Sequence, residues 1–168
     1  MVIVMSSSSS RRRSRSNGDG YDDILIGAWY NDADNADGYP RSASGAAYLL
    51  LGSSSGIDSQ SLSMADAKYS GEGFLDYAGS AVAGVGDVNG DGVDDLLIGA
   101  PTYAAGGLIG TGAAYAFYGP LDGAMSINDA DAVLLGEYQN DRFGDAVSAG
   151  NLLNSDSRQI ILASPNHD

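Results

Sequence analysis

The stretch Asp87-Val88-Asn89-Gly90-Asp91-Gly92-Val93-Asp94-Asp95-Leu96-Leu97-Ile98-Gly99-Ala100 decides how the chain is read. Its first nine residues interleave oxygen-bearing side chains with glycine and valine, and its last five turn abruptly apolar. Glycine and Asx residues favour a tight connector, because glycine enters left-handed backbone freely and Asn and Asp bond their own backbone. Leu96-Leu97-Ile98 is continuous rather than alternating, so a strand made of it must be covered on both faces.

The same pattern stands earlier in the chain. Asn17-Gly18-Asp19-Gly20-Tyr21-Asp22-Asp23-Ile24-Leu25-Ile26-Gly27-Ala28 repeats Asn89 to Ala100 at an offset of 72. Gly45-Ala46-Ala47-Tyr48 repeats as Gly112-Ala113-Ala114-Tyr115 at an offset of 67. Asp66 to Glu72 matches Asp131 to Glu137, and Ala78 to Val82 matches Phe143 to Val147, both at an offset of 65. The strands persist while the loops between them vary in length. Repeats of this size with strands covered on both faces predict an all-β fold of β-propeller blades, each a four-stranded antiparallel sheet stacked on its neighbours. A two-sheet sandwich is the alternative architecture, although its strands should alternate more clearly.

The units run over about 17–72, 73–137 and 138–168, the first without its opening strand and the last stopping after Ala163-Ser164-Pro165. That is about two and a half blades against the 4 to 8 of closed propellers, so a fragment of a larger propeller is expected. Its open edges would pair with further blades of the same parent chain or with another copy. Residues 1–16, MVIVMSSSSSRRRSRS, lack the basic-then-apolar order of a secretory signal and are expected to be a disordered Ser/Arg-rich tail.

Charge narrows the partners. Residues 17–168 hold four basic and 22 acidic residues, a formal charge of −18. Such a body repels phosphate backbones and anionic membranes and attracts cations, so no nucleic acid partner is expected. No apolar run approaches the roughly 20 residues that cross a bilayer, and membrane insertion is not expected. With no cysteine, disulfides and thiolate metal sites are excluded.

The acidic loop itself reads as a calcium site. Calcium takes six to eight oxygen ligands at about 2.3 to 2.6 Å. Asp87, Asn89 and Asp91 supply side-chain oxygens at loop positions 1, 3 and 5, Val93 a backbone carbonyl at 7, and Asp95 a carboxylate at 9. A helical calcium hand needs a bidentate Glu at position 12, where this chain has Ile98, so that alternative fails. An ion-free Asp/Gly β-turn is the plainer reading of the same residues. A second candidate site comprises Asn17, Asp19, Tyr21 and Asp23, with Arg15 opposing a cation at position 1. The third copy, Asn151 to Arg158, lacks the pattern and is expected to hold no ion.

Taken with Phe143-Gly144 and Gly99-Ala100-Pro101, the run Asp87 to Pro101 resembles the FG-GAP repeat of integrin α chains and related bacterial surface proteins. The resemblance covers about residues 17–168, departing at Ala78-Gly79 for FG and at Ala163-Ser164-Pro165 for GAP. It implies a seven-bladed propeller with calcium in loops at one rim, extracellular, secreted or at the cell surface. Such propellers serve adhesion or protein and glycan interaction, or accompany a catalytic domain as accessory modules of secreted or surface enzymes. Family ligand contacts lie in variable loops, here Trp29 to Pro40 and Thr102 to Thr111, with Tyr30, Tyr39 and Tyr103 as candidate contacts. No enzymatic activity is expected: the single histidine, His167, has no nucleophile motif around it, and the aspartates are accounted for as ligands.

Overall fold

The computed structural model describes residues 2–5 (backbone only), 16–32, 42–58, 60–150 and 159–166. Among the described residues, every regular element longer than a single 3-10 turn is a strand. In chain order these are β1 (Val2–Met5), β2 (Ile24–Ala28), β3 (Ala46–Leu50), β4 (Ala67–Ser70), β5 (Ala81–Gly86), β6 (Asp95–Ala100), β7 (Ala113–Phe117), β8 (Gly123–Ser126), β9 (Ala132–Leu135), β10 (Ala146–Gly150) and β11 (Gln159–Ala163).

Three sheets follow one another along the chain. The first has the order β1-β2-β3-β4-β8, the second β5-β6-β7-β9, and the third is the pair β10-β11. Within the first two, four strands run antiparallel to their neighbours, as blades of a partial propeller do. Leu96, Leu97 and Ile98 are 2%, 0% and 0% exposed, which is the two-sided cover their continuous run requires.

Two features differ from the sequence expectation. Val2–Met5, placed above in a disordered tail, pairs with β2 from Val2↔Gly27 to Met5↔Ile24 and supplies the first blade's opening strand. The reason is local: three consecutive β-branched residues suit an extended chain, and β2 offers an edge that no other described strand fills. The second is β8, which lies in sequence between two strands of the second blade yet pairs in parallel with β4 of the first.

The blades pack face to face. Leu25, Leu49 and Tyr69 from the first sheet meet Val82, Leu96, Ile98, Tyr115 and Phe117 from the second. The Tyr69 and Phe117 rings pack with centroids 4.6 Å apart. On its other face the second sheet sets Ala83, Val85, Leu97 and Ala116 against Val147, Ala149 and Leu162 of the third. The face of the first sheet turned away from the second, Ile26, Tyr48 and Leu50, is covered by Ile57, Leu62 and Ala65.

Glycine sets the spacing between blades. Gly79, at φ +82°, donates its N–H to Gly99 O of its own blade at 2.9 Å and turns its carbonyl against the preceding blade. A Cβ on Gly27 of that blade would stand 2.2 Å from Gly79 O. The junction repeats one blade on. Gly144, at φ +84°, donates to Ala163 O at 3.0 Å, and a Cβ on Gly99 would stand 2.0 Å from Gly144 O. Leu75 and Tyr77 adopt left-handed backbone, and so do their counterparts Asn140 and Arg142, so the repeat extends to its least favourable conformations.

Candidate metal centre

The acidic loop spans β5 and β6 and is wound around its own backbone amides. Asp87 Oδ1 accepts N–H bonds from Gly90 at 2.6 Å and Asp91 at 3.0 Å, and its Oδ2 accepts one from Gly92 at 2.9 Å. Asn89 Oδ1 accepts from Asp91 N at 3.0 Å, and Asp91 Oδ1 accepts from Val93 N at 2.8 Å. Asn89 Nδ2 donates to Asp91 Oδ2 at 2.8 Å. Successive Asx turns of this kind make one compact coil of the loop and gather its side-chain oxygens over it.

Asp95 is placed differently from the other three. It is 2% exposed; its Oδ2 accepts from Val88 N at 2.8 Å and its Oδ1 from Gly119 N at 2.9 Å. One carboxylate thus ties the start of the loop to the end of β7. Burial raises its proton affinity above that of an ordinary aspartate, and the charge of Asp91 adds to the rise, while the amides of Val88 and Gly119 oppose it.

The first loop repeats this construction bond for bond where both can be compared. Asn17 Nδ2 donates to Asp19 Oδ2 at 2.9 Å, Asp19 N to Asn17 Oδ1 at 3.0 Å, and Tyr21 N to Asp19 Oδ1 at 2.9 Å. Asp23, 4% exposed, accepts from Ser16 N at 3.1 Å and from Gly52 N at 2.9 Å, as Asp95 does from Val88 and Gly119. Arg15 at position 1 and the third copy, residues 151–158, lie outside the described residues, as does His167.

By donor type Asp87, Asn89, Asp91 and Asp95 fit a hard cation, being oxygens without exception. As folded, each oxygen that bonds within the loop faces an amide, and among the described residues no three or more acidic or histidine side chains converge into a ready-made metal cluster. Most of these oxygens accept one bond and keep further lone-pair capacity, so an ion would need only a modest turning of the side chains over the coil. The loop is exposed from Val88 to Gly92, so that rearrangement meets little packing resistance.

Of the candidate contact loops, residues 29–32 and 102–111 are described. Tyr30 is 64% exposed, stands edge-on to Trp29 at 5.1 Å and stacks on Tyr77 at 6.4 Å. Tyr103 instead packs edge-on against the buried Tyr115 at 6.1 Å. Tyr39 lies outside the described residues.

Sequence reasoning missed several acidic residues that do structural work. Asp66 and Asp131 accept N–H bonds from Leu51 and Tyr118, each at 2.8 Å, just past the ends of β3 and β7. Glu72 accepts from Ser126 Oγ and, at 2.5 Å, from Asn128 Nδ2. The matched pairs Asp66/Asp131 and Glu72/Glu137 were the signal that could have singled them out.

Comparison with known proteins agrees with the repeat. Residues 78–117 match the FG-GAP repeat family. Integrin alpha-PS2 of Drosophila melanogaster is 35% identical over 138 residues, 79% of this chain and 9% of that protein. Phosphatidylinositol-glycan-specific phospholipase D of Bos taurus is 38% identical over 117 residues, 66% of this chain and 13% of that protein. Integrin alpha pat-2 of Caenorhabditis briggsae is 34% identical over 82 residues, 49% of this chain and 6% of that protein. The chain thus spans between 6% and 13% of the length of these relatives.

Proposed function

The chain is an FG-GAP repeat protein of the integrin α-like kind, and on that premise we propose that it is a calcium-stabilised propeller module of an extracellular or cell-surface protein, serving adhesion or protein and glycan interaction. The observation that carries the calcium part is the loop Asp87 to Asp95, whose oxygen donors at alternate positions lie over a coil built identically in the first repeat. The role of the ion is structural. It would offset the mutual repulsion of Asp87, Asp91 and Asp95 and pin β5 to β6. Among the described residues no helix is long and apolar enough to cross a membrane.

For a dissociation constant of about 0.1 mM in about 1 mM calcium, the linked stabilisation is about 1.4 kcal/mol. At 2–4 °C per kcal/mol for a chain of this size, that is roughly 3–6 °C in melting temperature. The test is a melting curve in calcium and again in excess chelator, with Asp87→Ala and Asp91→Asn alongside. Chelation should lower the wild-type midpoint by that amount and leave the variants nearly unmoved. An identical wild-type curve in both solutions would remove the calcium reading.

A second reading is favoured by the phospholipase D relative, 38% identical over two thirds of the chain. In it the module is an accessory propeller beside a catalytic domain and has no turnover of its own. A screen of glycosidase, esterase and phosphodiesterase substrates should find none. Turnover abolished by Asp91→Ala would make the chain itself the enzyme.

A further inference from the structure

The first blade shows how an FG-GAP blade receives a strand from the repeat that follows it. β8 lies parallel on the outer edge of β4, in register from Ala67↔Gly123 to Ser70↔Ser126. Just beyond, both carboxylate oxygens of Glu72 are engaged by the incoming segment, one by Ser126 Oγ and the other by Asn128 Nδ2. Tyr69 on β4 is 0% exposed.

The second blade carries the same receptor. Ala67 to Glu72 recurs as Ala132 to Glu137, so β9 stands for β4 and Glu137 for Glu72. β9 ends its sheet, and among the described residues no strand pairs with its outer edge. Val133, Leu134 and Leu135 are 45%, 44% and 52% exposed, although Leu134 corresponds to the fully buried Tyr69. The Glu137 carboxylate accepts from its neighbour, the Tyr138 hydroxyl, an exposed contact that an incoming donor can displace.

We propose that the outer edge of β9, with Glu137 beside it, is an acceptor for one extended segment of β8 chemistry: a short strand of small residues running parallel to β9, followed by Ser-x-Asn. The occupant is such a segment from another repeat of this kind. The edge supplies main-chain bonds to any extended chain, while Glu137 favours a segment that presents two side-chain donors two residues apart, as Ser126 and Asn128 are presented to Glu72. The chain's own β8 is held on β4 at the high effective concentration of an intramolecular contact and does not compete. The inference stands on the repeated strand pairing and is independent of the calcium reading.

The test is a titration of the full chain against a labelled peptide of residues 119–130, GPLDGAMSINDA, near physiological salt. Saturable binding is expected, at least about tenfold weaker with Glu137→Ala, and weakened to the same degree for peptides carrying Ser126→Ala or Asn128→Ala. Methylating the peptide's backbone nitrogens from Ala124 to Ser126 should abolish it. The peptide variants leave the protein untouched, so they decide the matter even if Glu137→Ala lowers its stability. No binding, equal binding to Glu137→Ala and wild type, or undiminished binding of the methylated peptide would each overturn the proposal.

Discussion

Replacing Gly99 by alanine probes the spacing between blades with no other disturbance. Its backbone lies outside the left-handed region, so alanine suits the conformation and gains from a less flexible unfolded chain by about 0.5–1 kcal/mol. Opposing that gain, the new Cβ stands 2.0 Å from the carbonyl oxygen of Gly144, a backbone atom that cannot rotate away, where ordinary contact begins at 3.4 Å. The junction must open by more than an ångström. Overpacking of this kind costs about 1–3 kcal/mol. The same shift strains the bond from Gly144 N to Ala163 O, 3.0 Å long, a further loss of about 1 kcal/mol. The net expectation is a loss of about 2 kcal/mol, within about 1–3.5.

Gly56→Ala is the control. Gly56 has φ +89° and no atom within 4 Å of a built Cβ, so it carries only the cost of left-handed backbone, about 1–2 kcal/mol. Gly79→Ala carries both costs, since its φ is +82° and its Cβ would meet Ala46 O at 2.2 Å. Urea unfolding at fixed calcium should rank the midpoints Gly56→Ala, then Gly99→Ala, then Gly79→Ala, from highest to lowest. At a slope of about 2 kcal/mol/M, Gly99→Ala should fall by roughly 1 M. If it unfolds at or above the midpoint of Gly56→Ala, the close approach of the blades does not exist as described.

Removing the Asp95 carboxylate leaves the amides of Val88 and Gly119 without acceptors, and Asp23→Ala does the same to Ser16 and Gly52; each should lose about 2 kcal/mol, measured in excess chelator so that any lost ion plays no part. A loss below about 0.5 kcal/mol in either would deny the carboxylate its tying role. Tyr69 is fully buried, and among the described residues its hydroxyl has no partner, so Tyr69→Phe should be neutral or stabilising by about 1 kcal/mol at pH 7, and a loss of more than that would show a partner. Burial, aided by the charge of Asp122, lifts the Tyr69 phenol above its ordinary range. The unfolded chain therefore sheds this proton above about pH 10 while the folded chain keeps it, and stability falls by about 1.4 kcal/mol per pH unit there. Tyr69→Phe should flatten that slope by the same amount in alkaline unfolding curves.

Much of the fold was legible because its signals are local. A glycine and aspartate connector ahead of Leu96-Leu97-Ile98 marks both a turn and a strand covered on two faces, and its recurrence at Ile24-Leu25-Ile26 marks the repeat. What escaped the reading depends on neighbours in space. Gly123-Ala124-Met125-Ser126 has neither β-branched residues nor alternation, and it is a strand because β4 lies alongside and Glu72 fixes its far end. Val2–Met5 reads as the head of a polar tail until the open edge of β2 is known. In the acidic loops, spacing separates oxygen donors from other residues but not donors facing solvent from donors facing amides, which is why Asp95 resembles Asp87 in sequence and differs from it in burial.

The paired motifs of the repeat make physical sense as a junction rather than as features of one blade. A glycine at Gly27 or Gly99 lacks the Cβ that would strike the carbonyl of Gly79 or Gly144 in the next blade, and each of those is itself held in left-handed backbone by an N–H bond to the second strand of its own blade. The residue before the motif glycine is freer, since alanine at Ala78 and phenylalanine at Phe143 serve equally, both forming parallel bridges to the preceding blade, at Gly45 and Gly112. Ala163 occupies the place of Gly27 and Gly99 in the third unit. Its methyl fills the space that a following glycine's carbonyl takes at the two junctions seen here. A glycine carbonyl therefore cannot approach Ala163 as it approaches Gly27 and Gly99, where a Cβ would stand 2.2 and 2.0 Å from it.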